Sequence, residues 1–267
     1  MSRKIDKKVV VITGASKGIG RATAEYLSNK GCIVYGLSRS KPEGILFSHY
    51  TCDVLDYEKF KSILSEIHTK EGHIDFLINN AGMGISGAIE YSKPSDVNRL
   101  FDINVNALIN LTAIALPYLR ESRGRIVNIG SVAGPFPIPF QACYSASKSA
   151  IETFSLALDN EVRECGVRVT CVRPGDTKTS FTDNRVKTQI EDDGVYGKRI
   201  AKSVAKMEKD EQNGVPPEKV SKVIYKVLKR KNPPLVVTVD FVYKFLLVVA
   251  KVLPNSMKNK IIKLLYG

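Results

Sequence analysis

Short apolar runs rich in β-branched residues, alternating with helix-patterned stretches, constrain this chain more than any other feature. The runs are "KKVVVIT" (7–13), "CIVYGLS" (32–38), "HYTCD" (49–53), "IDFLIN" (74–79), "GRIVNIGS" (124–131), "GVRVTCVR" (166–173) and "PLVVTV" (234–239). Several are apolar at consecutive positions, as strands covered on both faces must be. Between them lie helical patterns near 18–30, 56–71, 95–122, 144–165 and 216–231, of which 95–122 is the longest. This alternation predicts a doubly wound α/β fold, with seven parallel strands flanked by crossover helices. At 267 residues, 43% of them hydrophobic, and without a linker or internal repeat, the sequence fits one domain spanning 1–267. The stretch 176–214 is polar and weakly periodic. It follows a strand's carboxyl end, where ligands bind in such sheets, so it reads as a substrate-covering segment.

Composition narrows the function classes. Five cysteines (Cys32, Cys52, Cys143, Cys165, Cys171) form no C-x-x-C pair and do not cluster with the three histidines. That argues against zinc or a disulfide framework and for reduced, buried thiols in a cytoplasmic protein. The apolar run after "MSRKIDKK" is too short for a signal-peptide core. The net charge is +13, and residues 215–267 hold eleven Lys/Arg against two acids, a local excess of +9. No basic run there is interleaved with stacking aromatics, which argues against nucleic acid. A solvated lysine-rich exterior is the simplest reading of that charge, and an anionic membrane surface is the functional alternative.

"TGASKGIG" (13–20) joins the first strand to the first helix. Gly14 allows the tight turn, Gly18 lets the backbone approach a diphosphate, and Gly20 lets helix and strand pack closely. The helix N-terminus then offers unpaired N–H groups to phosphate, a Rossmann-type arrangement. The spacing is G-x-x-x-G-x-G, not the common G-x-G-x-x-G. At the end of the second strand, where NAD sites usually carry an acid, this chain has Ser38 followed by Arg39. Arg39 can pair with a 2′-phosphate and Lys17 can close on it from the glycine loop, which favours NADP(H) over NAD(H).

With "CDV" (52–54), "NNAG" (79–82), "INV" (103–105), "IGS" (129–131), "YSASK" (144–148) and "RPGDTKT" (173–179) in this order, residues from about 7 to at least 180 resemble a single-domain short-chain dehydrogenase/reductase. One departure is Gly130, where many relatives carry a second serine. The resemblance implies that Tyr144 exchanges a proton with the carbonyl or alcohol oxygen while hydride passes to or from the nicotinamide. Lys148, one turn along the helix, is expected to favour the ionised phenol and to hold the nicotinamide ribose. Ser131 would position the substrate oxygen, and Asn104 would hold a water linking Lys148 to solvent. By the same resemblance, cofactor contacts fall to Gly14, Ser16, Lys17, Gly18, Ile19 and Gly20 of the loop, and to Asp53 and Val54 at the adenine. Asn80, Ala81 and Gly82 would shape the pocket wall beside the adenosine ribose, Asn80 being the favoured contact and a structural turn its rival reading. Pro174 and Gly175 would turn the chain under the nicotinamide, with Thr177 and Thr179 on its carboxamide and the diphosphate. No metal is implied, and the family often pairs subunits through its two long helices, implying a homodimer or homotetramer.

Tyr-x-x-x-Lys occurs four times in the chain. Tyr26/Lys30, Tyr57/Lys61 and Tyr225/Lys229 lack the serine and asparagine that accompany Tyr144/Lys148, and they read as ordinary helix pairs.

The tail 240–267 is apolar and basic, with Phe241–Leu253 too short to span a bilayer and Pro254 interrupting it. Lys244, Lys251 and Lys258 recur every seven residues. One or two amphipathic helices are expected, packed on the cleft or a partner subunit in preference to a membrane. The expected function is NADP(H)-dependent interconversion of a carbonyl and an alcohol on a lipophilic, steroid-like or fatty substrate. A non-catalytic NADP(H) sensor or scaffold is the alternative.

Overall fold

A computed structural model describes residues 4–181, 185–188 and 194–266. Parts of the 176–214 segment, and the side chain of Lys251, therefore lie outside the described residues. All seven expected strands are present: β1 (Val9–Thr13), β2 (Ile33–Ser38), β3 (Ser48–Thr51), β4 (Phe76–Asn79), then β6 (Arg125–Ile129), β7 (Arg168–Arg173) and β9 (Val236–Thr238). They form one parallel sheet in the order β3-β2-β1-β4-β6-β7-β9. Strand order reverses between β1 and β4, and the crevice at their carboxyl ends is the place where such sheets bind ligands. The glycine loop after Thr13 and the "NNAG" turn after β4 both open there.

Apolar residues at consecutive strand positions feed two cores, one on each face. Val10, Ile12, Phe76, Ile78 and Val127 pack with α1 (Gly18–Ser28) and α7 (Pro217–Lys229). Val9, Val11, Leu77, Ile126 and Val169 pack with α2 (Tyr57–Glu71), α4 (Ala107–Ser122) and α5 (Ala142–Val162). Tyr26 and Tyr225 meet edge to face at 5.6 Å between α1 and α7, with Lys30 and Lys229 over their rings. Those two Tyr–Lys pairs are thus packing pairs remote from the crevice.

The structure corrects the sequence reading in four places. The continuous helix expected over 95–122 is α3 (Pro94–Phe101), a π turn (Asp102–Asn106) and α4 in direct succession. The extra residue in that turn shifts the phase of the side chains of α4 relative to those of α3. The stretch 176–214 is not irregular throughout, because it contains α6 (Gly197–Gln212). Only Ile200, Ser203 and Met207 of α6 are buried, and a serine inside so narrow a stripe hides the period. A second parallel pair, β5 (Ile85–Ser86) with β8 (Val186–Lys187), ties this segment to the chain after "NNAG". Finally, Cys165 is exposed and Cys143 half-buried, so only Cys32, Cys52 and Cys171 are interior thiols.

The tail forms two helices, α8 (Phe241–Val252) and α9 (Asn255–Tyr266), broken at Pro254 as expected. Asp240 caps α8 by accepting the Val242 N–H at 2.8 Å. Inward, Tyr243 hydrogen-bonds Asp176 and lies flat on Gly175, where an added Cβ would come within 2.3 Å of the ring. Tyr266 joins the same cluster through Tyr243 and Asp210 of α6. Both helices are thereby fixed beside the chain that leaves β7 at the crevice.

Candidate active site

A buried polar ladder sets the helix that carries Tyr144. Asn79 of β4 donates to Thr112 of α4 and to Asn128 of β6, each at 2.9 Å, and Asn128 donates to Ser155 of α5 at 2.9 Å. These bonds fix α5 against the carboxyl half of the sheet. Tyr144 on its first turn and Ser131 just beyond β6 consequently meet, phenol hydrogen-bonded to hydroxyl. Ser131 also accepts the Ala133 N–H at 3.1 Å, which orients its oxygen. Lys148 Nζ donates to the Ile129 carbonyl at 2.9 Å and sits 5.7 Å from the Tyr144 ring centre.

The sequence reading expected Lys148 to lower the phenol's pKa, whereas in the structure burial raises it and the charge that lowers it is that of Arg185. Burial, with a contribution from Glu211, pushes the Tyr144 phenol up to about 12, against the hydrogen bond from Ser131 and the charge of Arg185. Burial likewise pushes the Lys148 ammonium down to about 8. At neutral pH the phenol therefore keeps its proton and the lysine its charge.

Asn104 lies fully buried in the π turn. Its side chain accepts the Met83 N–H at 2.8 Å and donates to the Met83 carbonyl at 3.0 Å and to Ser147 at 3.1 Å. Ser147 in turn donates to the Tyr144 carbonyl at 2.7 Å. Both amide hydrogens of Asn104 are thus used within the protein, bracing α5 against the turn after β4. Ser147 was not singled out from the sequence, because a serine inside "YSASK" carries no signal of its own.

The phosphate loop has the geometry its glycines suggested. Gly14 and Gly18 hold φ of +68° and +57°, and a Cβ on Gly20 would lie 2.2 Å from the Gly14 carbonyl. Asn80 donates both amide hydrogens to the Thr13 and Gly14 carbonyls, at 3.0 and 3.1 Å. Its side chain is therefore a structural brace, leaving only its oxygen for a ligand. Thr13 answers by accepting the Asn80 and Ala81 N–H groups. Thr179 stands over Gly18, its Cβ 3.3 Å from where a Gly18 Cβ would be. Thr177 spends its hydroxyl proton on the Gly175 carbonyl at 3.0 Å. Pro174 accepts the Val132 N–H at 3.0 Å, holding the two strand ends together under the crevice. Gly82 lies against the Asn104 side chain and near Lys148 Nζ.

At the adenosine end, Asp53 is exposed and accepts the Leu55 N–H at 3.1 Å, while Val54 packs on the second core. Ser38 is buried and shares its hydroxyl with His49 and the Ser40 carbonyl. Arg39 and Lys17 are both exposed and form no ion pair among the described residues. Ser16 and Ile19 flank Lys17 and Gly18 in the same loop, half-buried. The departure at Gly130 has a local cause: a Cβ there would come within 2.7 Å of the buried Cys171 sulfur.

A model of the short chain dehydrogenase family matches residues 8–190. The chain belongs to the short-chain dehydrogenase family. It is an oxidoreductase of carbonyl and alcohol groups, and the family uses nicotinamide cofactors. Among its relatives, 3-ketodihydrosphingosine reductase of Bacteroides thetaiotaomicron is 39% identical, over 97% of this chain and 98% of that protein. The 3-oxoacyl-[acyl-carrier-protein] reductase FabG of Escherichia coli is 33% identical over 66% of this chain and 75% of that one. A short-chain dehydrogenase from Streptomyces avermitilis has the same fold, with a TM-score of 0.80, 27% identity, and coverage of 96% of this chain and 95% of the other.

Three residues beside Tyr144 escaped the sequence reading. Phe181 lies 5.8 Å from the Tyr144 ring, and the Arg185 guanidinium lies 6.0 Å from the Phe181 ring on its other contact. Arg185 pairs with Glu211 of α6. They lie in or beyond the segment that showed no pattern, so only the folded chain brings them to the site.

Proposed function

We propose that this protein is an NADP(H)-dependent reductase of a long-chain ketone, with Tyr144 as proton donor. The observation that carries this reading is Tyr144 set beside Ser131 with Lys148 Nζ 5.7 Å from its ring, at the crevice the glycine loop shares. In the reductive direction, hydride adds to the carbonyl carbon and the phenol proton goes to its oxygen. Ser131 holds that oxygen, and the Lys148 charge stabilises the phenolate left behind. The nicotinamide cofactor supplies the hydride when bound. The unpaired cations Arg39 and Lys17 support the phosphorylated cofactor.

A lipophilic substrate is supported by the relative that covers nearly the whole chain, a reductase of 3-ketodihydrosphingosine by its name. The test is NADPH oxidation with straight-chain 2-alkanones of increasing length. The expected kcat/KM rises by about fourfold per added methylene, from about 0.8 kcal/mol of transfer energy each, until the cleft is filled. No rise with length overturns the lipophilic substrate.

The tail supports docking on an anionic membrane surface. Phe241, Phe245, Val248 and Val252 share an arc of about 60° on α8, and Met257, Ile261 and Leu264 share one on α9. These side chains point to solvent, Phe241 being 78% exposed, Val252 82% and Leu264 84%. Lys244 and Lys260 flank the two stripes, and the only acid of the tail, Asp240, is paired with Lys219. Two copies of so basic a face would repel, whereas acidic headgroups complement it. Co-sedimentation with phosphatidylglycerol-containing vesicles at low salt is the expected result, lost on Phe245→Ser with Val248→Ser. Equal sedimentation by that double variant overturns it. Subunit pairing through α4 and α5 stays part of the proposal.

A further inference from the structure

Arg185 is 5% exposed, and its Nε and Nη1 hydrogens have no partner among the described residues. A buried guanidinium with two unmet donors costs free energy unless something else accepts them. Its third nitrogen, Nη2, donates to Glu211. A latch between the 176–214 segment and α6 would explain that single bond and leave the other two donors unused. Both charges are close enough to act on the Tyr144 phenol, Glu211 raising its pKa and Arg185 lowering it. Phe181 lies beside both the Tyr144 ring and the guanidinium, and a Cβ on Gly84 would come within 3.0 Å of the Phe181 ring and 3.5 Å of Arg185.

We infer that Arg185 and Glu211 form a polar headgroup subsite for the substrate, resting on the ketone-reductase reading above. The pair carries no net charge but presents donors on one side and a carboxylate acceptor on the other. It therefore suits a ketone whose neighbouring carbons bear groups that both accept and donate, namely hydroxyl or amino groups. Arg185 takes a hydroxyl oxygen through Nε or Nη1, and Glu211 accepts from a hydroxyl or ammonium. Chain length is then read by apolar contacts, and the polar end by this pair.

The test uses the full-length protein with NADPH and reads one ratio, kcat/KM for a 1-hydroxy-2-alkanone over that for the matching 2-alkanone. The wild type is expected to favour the hydroxy ketone by about tenfold or more, and Arg185→Met to bring the ratio near one. The ratio is internal to each preparation, so partial loss of folded protein cancels. If Arg185→Met is inactive on both ketones, Arg185→Lys, which keeps the charge but not the fork of donors, decides by the same ratio. A wild type without preference, or a preference that persists unchanged in the deciding variant, overturns the subsite. A wild type that binds NADPH but reduces neither ketone instead overturns the reductase reading, and the subsite with it.

Discussion

Tyr144→Phe is expected to lower kcat for ketone reduction by about 10²- to 10⁴-fold, with NADPH affinity changed by less than about threefold. The substitution removes one oxygen, the atom that carries the transferable proton, and leaves the ring packed against Phe181. The effect is large because burial holds the phenol near 12, keeping the proton on it, with Ser131 aligning it. Single-turnover reduction followed by NADPH absorbance, with cofactor fluorescence for binding, measures both quantities. Activity within tenfold of wild type would remove Tyr144 from the reaction. The pH profile follows from the neighbouring lysine. Lys148 is lowered to about 8 by burial, so it is charged below that pH and neutral above it. Loss of its charge deprives the nascent phenolate of stabilisation. Reductive kcat/KM is therefore expected to be level below about pH 8 and to fall as pH rises through it. A level profile from about pH 6 to 10 would show that Lys148 does not titrate in the free enzyme.

Changing Arg39 is expected to move cofactor choice more than any other substitution. An exposed charge-assisted contact with a 2′-phosphate is worth about 1–2 kcal/mol, so Arg39→Ala should weaken NADPH by about 5- to 30-fold. Arg39→Asp goes further, because the new carboxylate repels the phosphate and accepts hydrogen bonds from the ribose hydroxyls of NADH. The ratio of kcat/KM for NADPH over NADH should then fall by on the order of 10²-fold. Raising ionic strength should narrow the difference between wild type and Arg39→Ala, since the contact is exposed to solvent. A ratio unchanged in both variants would assign the 2′ end of the cofactor to other residues. Lys17, the exposed cation in the glycine loop, is the next to test.

The sequence by itself determined the sheet, the glycine loop and the neighbourhood of Ser131, Tyr144 and Lys148. Parallel strands buried on both faces need apolar residues at consecutive positions, so Val9–Ile12 of β1 and Phe76–Ile78 of β4 show as unbroken apolar runs. A tight strand-to-helix turn that meets phosphate needs glycine, so Gly14, Gly18 and Gly20 show as well. These requirements are local, and local requirements leave a periodic or spaced trace in the chain.

Tertiary structure decided what depended on distant partners. Asn104 was visible in "INV", but that its amide is taken up by Met83 and Ser147 follows only from the π turn beside α5. Asn80 is spent on the Thr13 and Gly14 carbonyls for the same reason. The pKa of Tyr144 could not be read from the spacing of Tyr144 and Lys148. Spacing reports a neighbouring charge, whereas desolvation depends on everything that encloses the phenol. Arg185 and Glu211, 26 residues apart in sequence, meet only because β8 pairs with β5 and α6 carries Glu211 to the same place. The chemistry is written in short motifs, while selection of the substrate depends on contacts between segments that no spacing rule connects.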